Sequence, residues 1–264
     1  MNIIVCIKQV PETSNVRMDE ATGTMVRQGV ESIVNPLDLY GIEAALRLKE
    51  QRGGRVTVLS MGPRDAEKAV REAIAMGCDA GVLLSDRAFA GSDTHATSYV
   101  LSRAISRLAP YDLVLTGTRA TDGETGQVGP GVAAFLDLPA CTFVGRILAV
   151  DGRTLTVERL VETGHERLRL PMPCLLTVTN EVGYVRLPTL RGKQAARRAE
   201  VAVWGPGDVD ADASLLGLKG SPTRVVKIEK PVVARHGRKV EARKLGAQRA
   251  AVELADYLQE NGLL

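Results

Sequence analysis

The chain has 264 residues, 45% of them hydrophobic, enough for one large domain or for one core domain with an appended piece. A net charge of +3 and 3% aromatic content argue against a nucleic-acid surface, which needs a basic patch and stacking platforms. No apolar run approaches the ~18 residues of a membrane helix, the N-terminus lacks the apolar length of a signal peptide, and Cys6, Cys78, Cys141 and Cys174 are widely spaced. The expectation is a soluble cytoplasmic protein with buried, reduced thiols.

Residues 3–7, IIVCI, read as a strand covered on both faces. Residues 11–32 are polar and read as a loop or small hairpin. A helix then opens at VNPLDLYGIEAALRLKE, with Asn35 at the N-cap, Pro36 at the first helical position and Asp38 in the first turn. Leu39, Ile42 and Leu46 share a face, and Gly53 and Gly54 end the helix. RVTVLSMG is a second buried strand, and RDAEKAVREAIAMG a second helix stopped by Gly77. DAGVLLS, the helix GSDTHATSYVLSRAISRLAP capped by Ser92 or Asp93, and the strand YDLVLTGT continue the alternation. A glycine-rich loop follows, leading into a short helix, QVGPGVAAFLDLP.

Buried strands alternating with amphipathic helices predict an α/β fold with a doubly wound, mostly parallel sheet. After residue 142 the pattern alternates apolar and polar, and Asp151-Gly152 marks a hairpin, so antiparallel strands are added to the sheet. From about residue 184 the chain is irregular and basic, ending in a helix with Ala247, Ala250, Ala251, Leu254 and Leu258 on one side. Residues 1–183 therefore read as the core, and 184–264 as an arm.

Ligands of such sheets bind beyond the carboxyl ends of the strands. The loop GTRATDGETGQVGP stands there. Gly117, Gly123, Gly126 and Gly129 allow backbone amides to converge on an anion. Thr118, Thr121 and Thr125 add hydroxyls, Arg119 adds charge, and the helix opening near Gln127 adds its dipole. Asp122 and Glu124 oppose phosphate, so one of them is assigned to a ribose or to the helix cap. The pattern is neither a Walker A loop nor a GxGxxG fingerprint, and on spacing alone an ordinary strand–helix loop fits as well. His95, His165 and His236 are scattered, no metal site is expected, and no catalytic dyad is visible.

Six stretches in chain order carry a more specific signal: NPLDLYGIEAALRLKE, VLSMGP, AIAMGCDAGVLL, SDTHATSYVLSRAI, DLVLTGTRATDGETGQVGPGVAAFLDLP and RLPTLRGKQAARRAEV. Over nearly the whole chain the sequence resembles the β subunit of electron transfer flavoprotein. The resemblance implies an adenine nucleotide α-hydrolase-like core without hydrolase chemistry, paired with an α subunit that carries an electron-transferring FAD. It implies a β-subunit site holding AMP in ordinary members, or a second FAD that takes hydride from NADH in electron-bifurcating ones. The family's nucleotide contacts fall on Cys6, on Asn35, Pro36, Leu37 and Asp38, on Met61, and on the loop Gly117, Thr118, Arg119, Ala120, Thr121, Asp122, Gly123, Glu124, Thr125, Gly126, Gln127 and Val128.

DGETGQVGP is similar to the GDTAQVGP loop of the bifurcating and nitrogen-fixation-linked members, departing from it at Glu124 and Gly126. FAD is therefore the expected cofactor, with AMP the alternative. Electrons would pass to the α-subunit FAD, then to an acyl-CoA-type dehydrogenase or quinone reductase, and separately to ferredoxin or flavodoxin. YVRLPTLRGKQAARR matches the family's partner-recognition loop, with Leu187 as apolar anchor among Arg191, Lys193, Arg197 and Arg198. The resemblance makes the C-terminal arm a wrap around the α subunit, and the basic run KPVVARHGRKVEARKLG a linker or part of that contact. Tyr40 belongs to the core or to the nucleotide pocket. A nucleotide-hydrolysing or sulfur-transferring enzyme would need an SGGxDS-like loop after the first strand, where KQVPETSN stands, and a stress-type nucleotide-binding module would lack the arm.

Overall fold

The computed structural model describes residues 1–12, 17–18, 25–26, 31–226 and 239–263. In chain order the elements are β1 (Asn2–Ile7), β2 (Gln9–Pro11), β3 (Arg17–Met18), β4 (Met25–Val26), β5 (Ser32–Val34), α1 (Pro36–Arg52), β6 (Arg55–Met61), α2 (Glu67–Met76), β7 (Ala80–Leu84), α3 (Thr94–Arg107), β8 (Leu113–Gly117) and α4 (Val128–Phe135). They continue with β9 (Ala140–Asp151), β10 (Thr154–Val161), β11 (Gly164–Pro171), β12 (Cys174–Val178), α5 (Leu190–Arg198), β13 (Val201–Trp204), α6 (Gly217–Gly220), α7 (Ala242–Leu245) and α8 (Ala247–Glu260).

One sheet of nine strands organises the first unit, Met1–Val226, in the order β11-β10-β9-β12-β8-β1-β6-β7-β13. β1, β6, β7, β8, β12 and β13 are mutually parallel, with β9 parallel to β12. Such strands carry side chains into cores on both faces, which is why their sequences are continuously apolar. α1 and α2 pack Ile42, Leu46, Val70 and Ile74 against Val5, Val58 and Leu115 on one face. α3 and α4 pack Val100, Ile105 and Val132 against Ile4, Leu59 and Val114 on the other. β9, β10 and β11 form the expected antiparallel meander, turning at Gly152, whose φ is +55°.

The order reverses between β1 and β8: β6 and β7 follow on one side of β1, β8 and β12 on the other. A reversal of this kind opens a crevice at the carboxyl ends of the two strands. Lys8 leaves β1 there, and the loop 118–127 leaves β8 there.

The sequence places the end of the core at residue 183, but the first unit continues to Val226. β13 pairs parallel with β7 from Val201↔Gly81 to Trp204↔Leu84, and Ala196, Val209 and Leu216 are buried. Few apolar residues per turn make this stretch read as an arm; edge position, needing one covered face, explains why those few suffice. The second unit, Lys227–Leu264, is described at α7 and α8, where no residue is buried. In the polar segment after β1, β3 pairs antiparallel with β4, as β2 does with β5. The rest of that segment, and residues 230–238 of the second basic run, lie outside the described residues.

Candidate functional site: the cleft at the sheet reversal

A cleft of about 1140 Å³ opens beyond the carboxyl ends of β1, β6, β7 and β8. Two bare backbone positions shape it on the β8 side. A Cβ on Gly117 would lie 2.4 Å from the Asp38 Oδ1 and 2.8 Å from the Leu37 carbonyl carbon. A Cβ on Gly129 would lie 2.7 Å from Thr177 Cγ2 and 2.9 Å from Thr116 Oγ1. Glycine there lets the start of α4 sit directly on β8 and β12. Gly126 adopts φ +62°, a left-handed turn that favours glycine.

Among the described residues, the amides of Gly126, Gln127, Val128 and Gly129 donate to no acceptor. They are the end of the loop and the first turn of α4, where donors are left over by helix geometry and the dipole is positive. Pro130, in the same turn, has no amide to lose. Such an arrangement can receive an anion.

The loop is held from below by α1. Asn35 is fully buried; its Nδ2 donates to the Arg119 carbonyl at 2.9 Å, and its Oδ1 accepts from the Thr121 amide at 3.2 Å. Asn35 stands at the N-cap of α1 as the sequence implies, but its side chain caps nothing and ties the loop down instead. Asp38, also buried, accepts from the Lys8 amide at 2.7 Å and from the Gly117 amide at 3.2 Å, joining the ends of β1 and β8. Burial pushes its carboxyl up to about 7, against the opposing pull of the Lys8, Asn35 and Gly117 hydrogen bonds. Burial, with Asp38 nearby, pushes the Cys6 thiol to about 12, so this cysteine is an apolar wall and no nucleophile.

Neither of the two acidic loop residues caps α4. Asp122, 9% exposed, accepts from Lys8 Nζ at 2.6 Å, and Glu124 pairs with Arg119 at 3.5 Å. α4 has no side-chain cap. Their partners neutralise carboxylates that would otherwise repel an anion.

The pattern of the electron transfer flavoprotein domain matches residues 22–209. The chain is 48% identical to the electron transfer flavoprotein subunit beta of Thermoanaerobacterium thermosaccharolyticum over 238 residues, covering 90% of this chain and 91% of that one. It is 47% identical to the subunit beta of Clostridium acetobutylicum, covering 86% and 87%. It is 46% identical to the protein FixA of Azorhizobium caulinodans, covering 88% and 85%. The chain belongs to the electron transfer flavoprotein family.

Of the residues at which the sequence matches the family's nucleotide contacts, Cys6, Asp38, Met61, Gly117, Thr118, Arg119, Ala120, Gly123, Thr125, Gly126, Gln127 and Val128 line the cleft. Asn35, Pro36, Leu37, Thr121, Asp122 and Glu124 do not, and Asn35 and Asp122 act from behind. The far wall was missed: Arg64 after β6, Asp86 and Arg87 after β7, Asp93, Thr94 and Thr97 at the start of α3, and Thr223. Asp86 and Asp93 are occupied as caps, accepting from Ala88 at 2.8 Å and Ala96 at 3.0 Å. Arg64 and Arg87 are exposed, with no ion-pair partner among the described residues. Their signal was present: each stands within three residues of a parallel strand's carboxyl end. Tyr40 is partly buried against the core and does not line the cleft.

Leu187, Arg191, Lys193 and Arg197 lie outside the cleft and are all exposed, Leu187 at 85%. Tyr184 at 94% and Leu190 at 83% extend the apolar surface beyond the one anchor foreseen. Among the described residues, no group of acidic, histidine or cysteine side chains forms a metal site, and no helix is long and apolar enough to cross a membrane.

Proposed function

We propose that this chain is the β subunit of a cytoplasmic heterodimeric electron transfer flavoprotein of the electron-bifurcating type, holding FAD in the cleft at the sheet reversal. The observation that carries the reading is the set of free amides at residues 126–129 facing a cleft whose volume, about 1140 Å³, exceeds the ~300–1,000 Å³ typical of small-ligand pockets. The donor set fits a dinucleotide: main-chain amides for the diphosphate, Thr118 and Thr125 for hydroxyl contacts, and Arg64, Arg87 and Arg119 as cations about the mouth. When bound, FAD supplies hydride acceptance from NADH and one-electron delivery to the α-subunit FAD and to ferredoxin or flavodoxin. The chain's own work is to bind and orient. Asn35 and Asp38 fix the loop, and Lys8 draws Asp122 away from the anion.

The α subunit is the partner we assign to the C-terminal unit. Leu254 on α8, on the side of Ala247, Ala250, Ala251 and Leu258, is 55% exposed, and an amphipathic helix with an uncovered apolar side needs a surface to cover it. Leu187, flanked by Arg191, Lys193 and Arg197, is assigned to docking an acidic redox partner, an acyl-CoA-type dehydrogenase or a quinone reductase.

Anaerobic titration of the purified heterodimer with NADH, with its nucleotides counted, tests the assignment. Two FAD per heterodimer with bleaching by NADH is expected. One FAD with one AMP, and no bleaching, overturns the bifurcating reading and assigns the cleft to AMP.

A further inference from the structure

The docking reading leaves open how residues 182–190, outside any long element, could present an apolar anchor in a fixed place. The answer lies in α1. Glu43 is an acidic residue in the middle of that helix, yet only 3% exposed. Its Oε1 accepts from Arg47 Nε at 2.7 Å, and its Oε2 accepts from Arg186 Nε at 2.8 Å and from the Arg186 amide at 3.1 Å. Arg186 also pairs with Glu50, one turn beyond Arg47 on the helix. Arg47 in turn donates to the carbonyls of Val182 at 3.2 Å and Tyr184 at 3.3 Å. Gly183 makes this possible: its φ is +144°, and a Cβ there would stand 2.2 Å from Arg47 Nη1. Downstream, Thr189 caps α5, and Gly192 lets α5 touch α2, a Cβ there falling 2.0 Å from the Ala75 carbonyl oxygen.

We propose that Glu43, Arg47 and Arg186 are positioning residues: a latch that presets residues 183–190 so that Leu187 meets its partner without an ordering cost. The inference rests on the docking reading above. A bidentate guanidinium–carboxylate contact, buried at its Glu43 end, fixes geometry as well as charge, and an anchor held in its bound arrangement binds more tightly than a free one. Burial opposes ionisation of Glu43, but the hydrogen bonds from Arg186 and Arg47 prevail and hold its carboxyl at about 2. The pair is therefore ionised at neutral pH.

The test uses the intact heterodimer with Arg186→Ala, Gly183→Ala and Leu187→Ala, probed by an acyl-CoA dehydrogenase reduced by its own acyl-CoA that saturates with the wild type. Amide hydrogen exchange over residues 183–190, KM and kcat for the dehydrogenase, and flavin content are read together. Arg186→Ala and Gly183→Ala should each speed exchange in that segment by about tenfold and raise KM by about tenfold, with kcat and flavin content held. Arg186→Lys should recover part of both effects. Leu187→Ala should raise KM with exchange unchanged. Gly183→Ala removes no charge, so it keeps the test alive if Arg186→Ala fails to fold. Unchanged exchange, or faster exchange with an unchanged KM, overturns the latch. If Leu187→Ala leaves KM at the wild-type value, the docking reading falls and takes the latch with it.

Discussion

Two segments far apart in sequence, the cleft loop 117–129 and the proposed docking segment 182–198, are both fastened to α1, and they are fastened differently. At the amino end of α1, the buried side chains of Asn35 and Asp38 make four bonds to main-chain groups, three of them to the loop and one to Lys8. Further along the helix, Glu43, Glu50 and Arg47 hold the docking segment largely through guanidinium–carboxylate pairs, with Arg47 and Arg186 still partly exposed. A buried amide clamp costs its full desolvation when a partner is removed. A half-exposed ion pair is partly compensated by water and screened by salt. The helix thus carries a rigid clamp for the cleft loop and a softer, charge-dependent clamp for the exposed segment 182–198.

The largest effect expected from this contrast is at Gly117. Gly117→Ala drives a methyl into Asp38 and the main chain at Leu37, neither of which can retreat. A loss of about 3 kcal/mol or more is expected, read by urea unfolding, together with loss of bound nucleotide. A variant that unfolds like wild type would mean that the first turn of α1 can shift. Next is Asn35→Ala, which strands the Arg119 carbonyl and the Thr121 amide beneath the loop. About 2 kcal/mol of stability should go, and nucleotide affinity should fall with it. A stability loss with unchanged affinity would show that the loop keeps its shape without the clamp.

The parallel core, the helix bounds and the meander were legible because their signals are local: continuous apolar runs, a proline at the start of α1, an aspartate ahead of α3, Asp151-Gly152 at a turn. The cleft's β8 wall was legible too, since glycines crowd it. What sequence could not supply was pairing across distance. Asn35 matches a cap, yet its partners are 84 and 86 residues away. Glu43 reads as one more polar helical residue until Arg186, 143 positions later, meets it. Arg64 and Arg87 carry a local signal, a place just after a parallel strand, but joining them into one wall of the cleft needed the strand order β1-β6-β7. β13 was hidden because four residues with one covered face carry almost no periodic signal.

The two clamps also predict opposite responses to pH, which sharpens the contrast. Asp38 titrates near 7 in the folded chain, against about 3.9 when unfolded. Between those values the native state keeps a proton that the unfolded state releases, so the contribution is full below pH 4 and is lost as pH rises through 7. Wild type should lose about 2 kcal/mol relative to Asp38→Asn between pH 5 and pH 8, measured by paired urea titrations. A gap that stays flat would mean that Asp38 is ionised throughout.

Glu43 runs the other way and should give the smallest signal, because water already reaches Arg47 and Arg186. Its carboxyl sits near 2, below the usual value for a glutamate, so the native state prefers the ionised form. The stabilisation is whole above about pH 4.3 and fades as pH falls toward 2. The stability advantage of wild type over Glu43→Gln should therefore shrink on acidification from pH 5 to pH 3, and shrink further in high salt. An advantage independent of both would mean that shape, and not charge, closes the second clamp. The two ends of α1 would then differ only in depth.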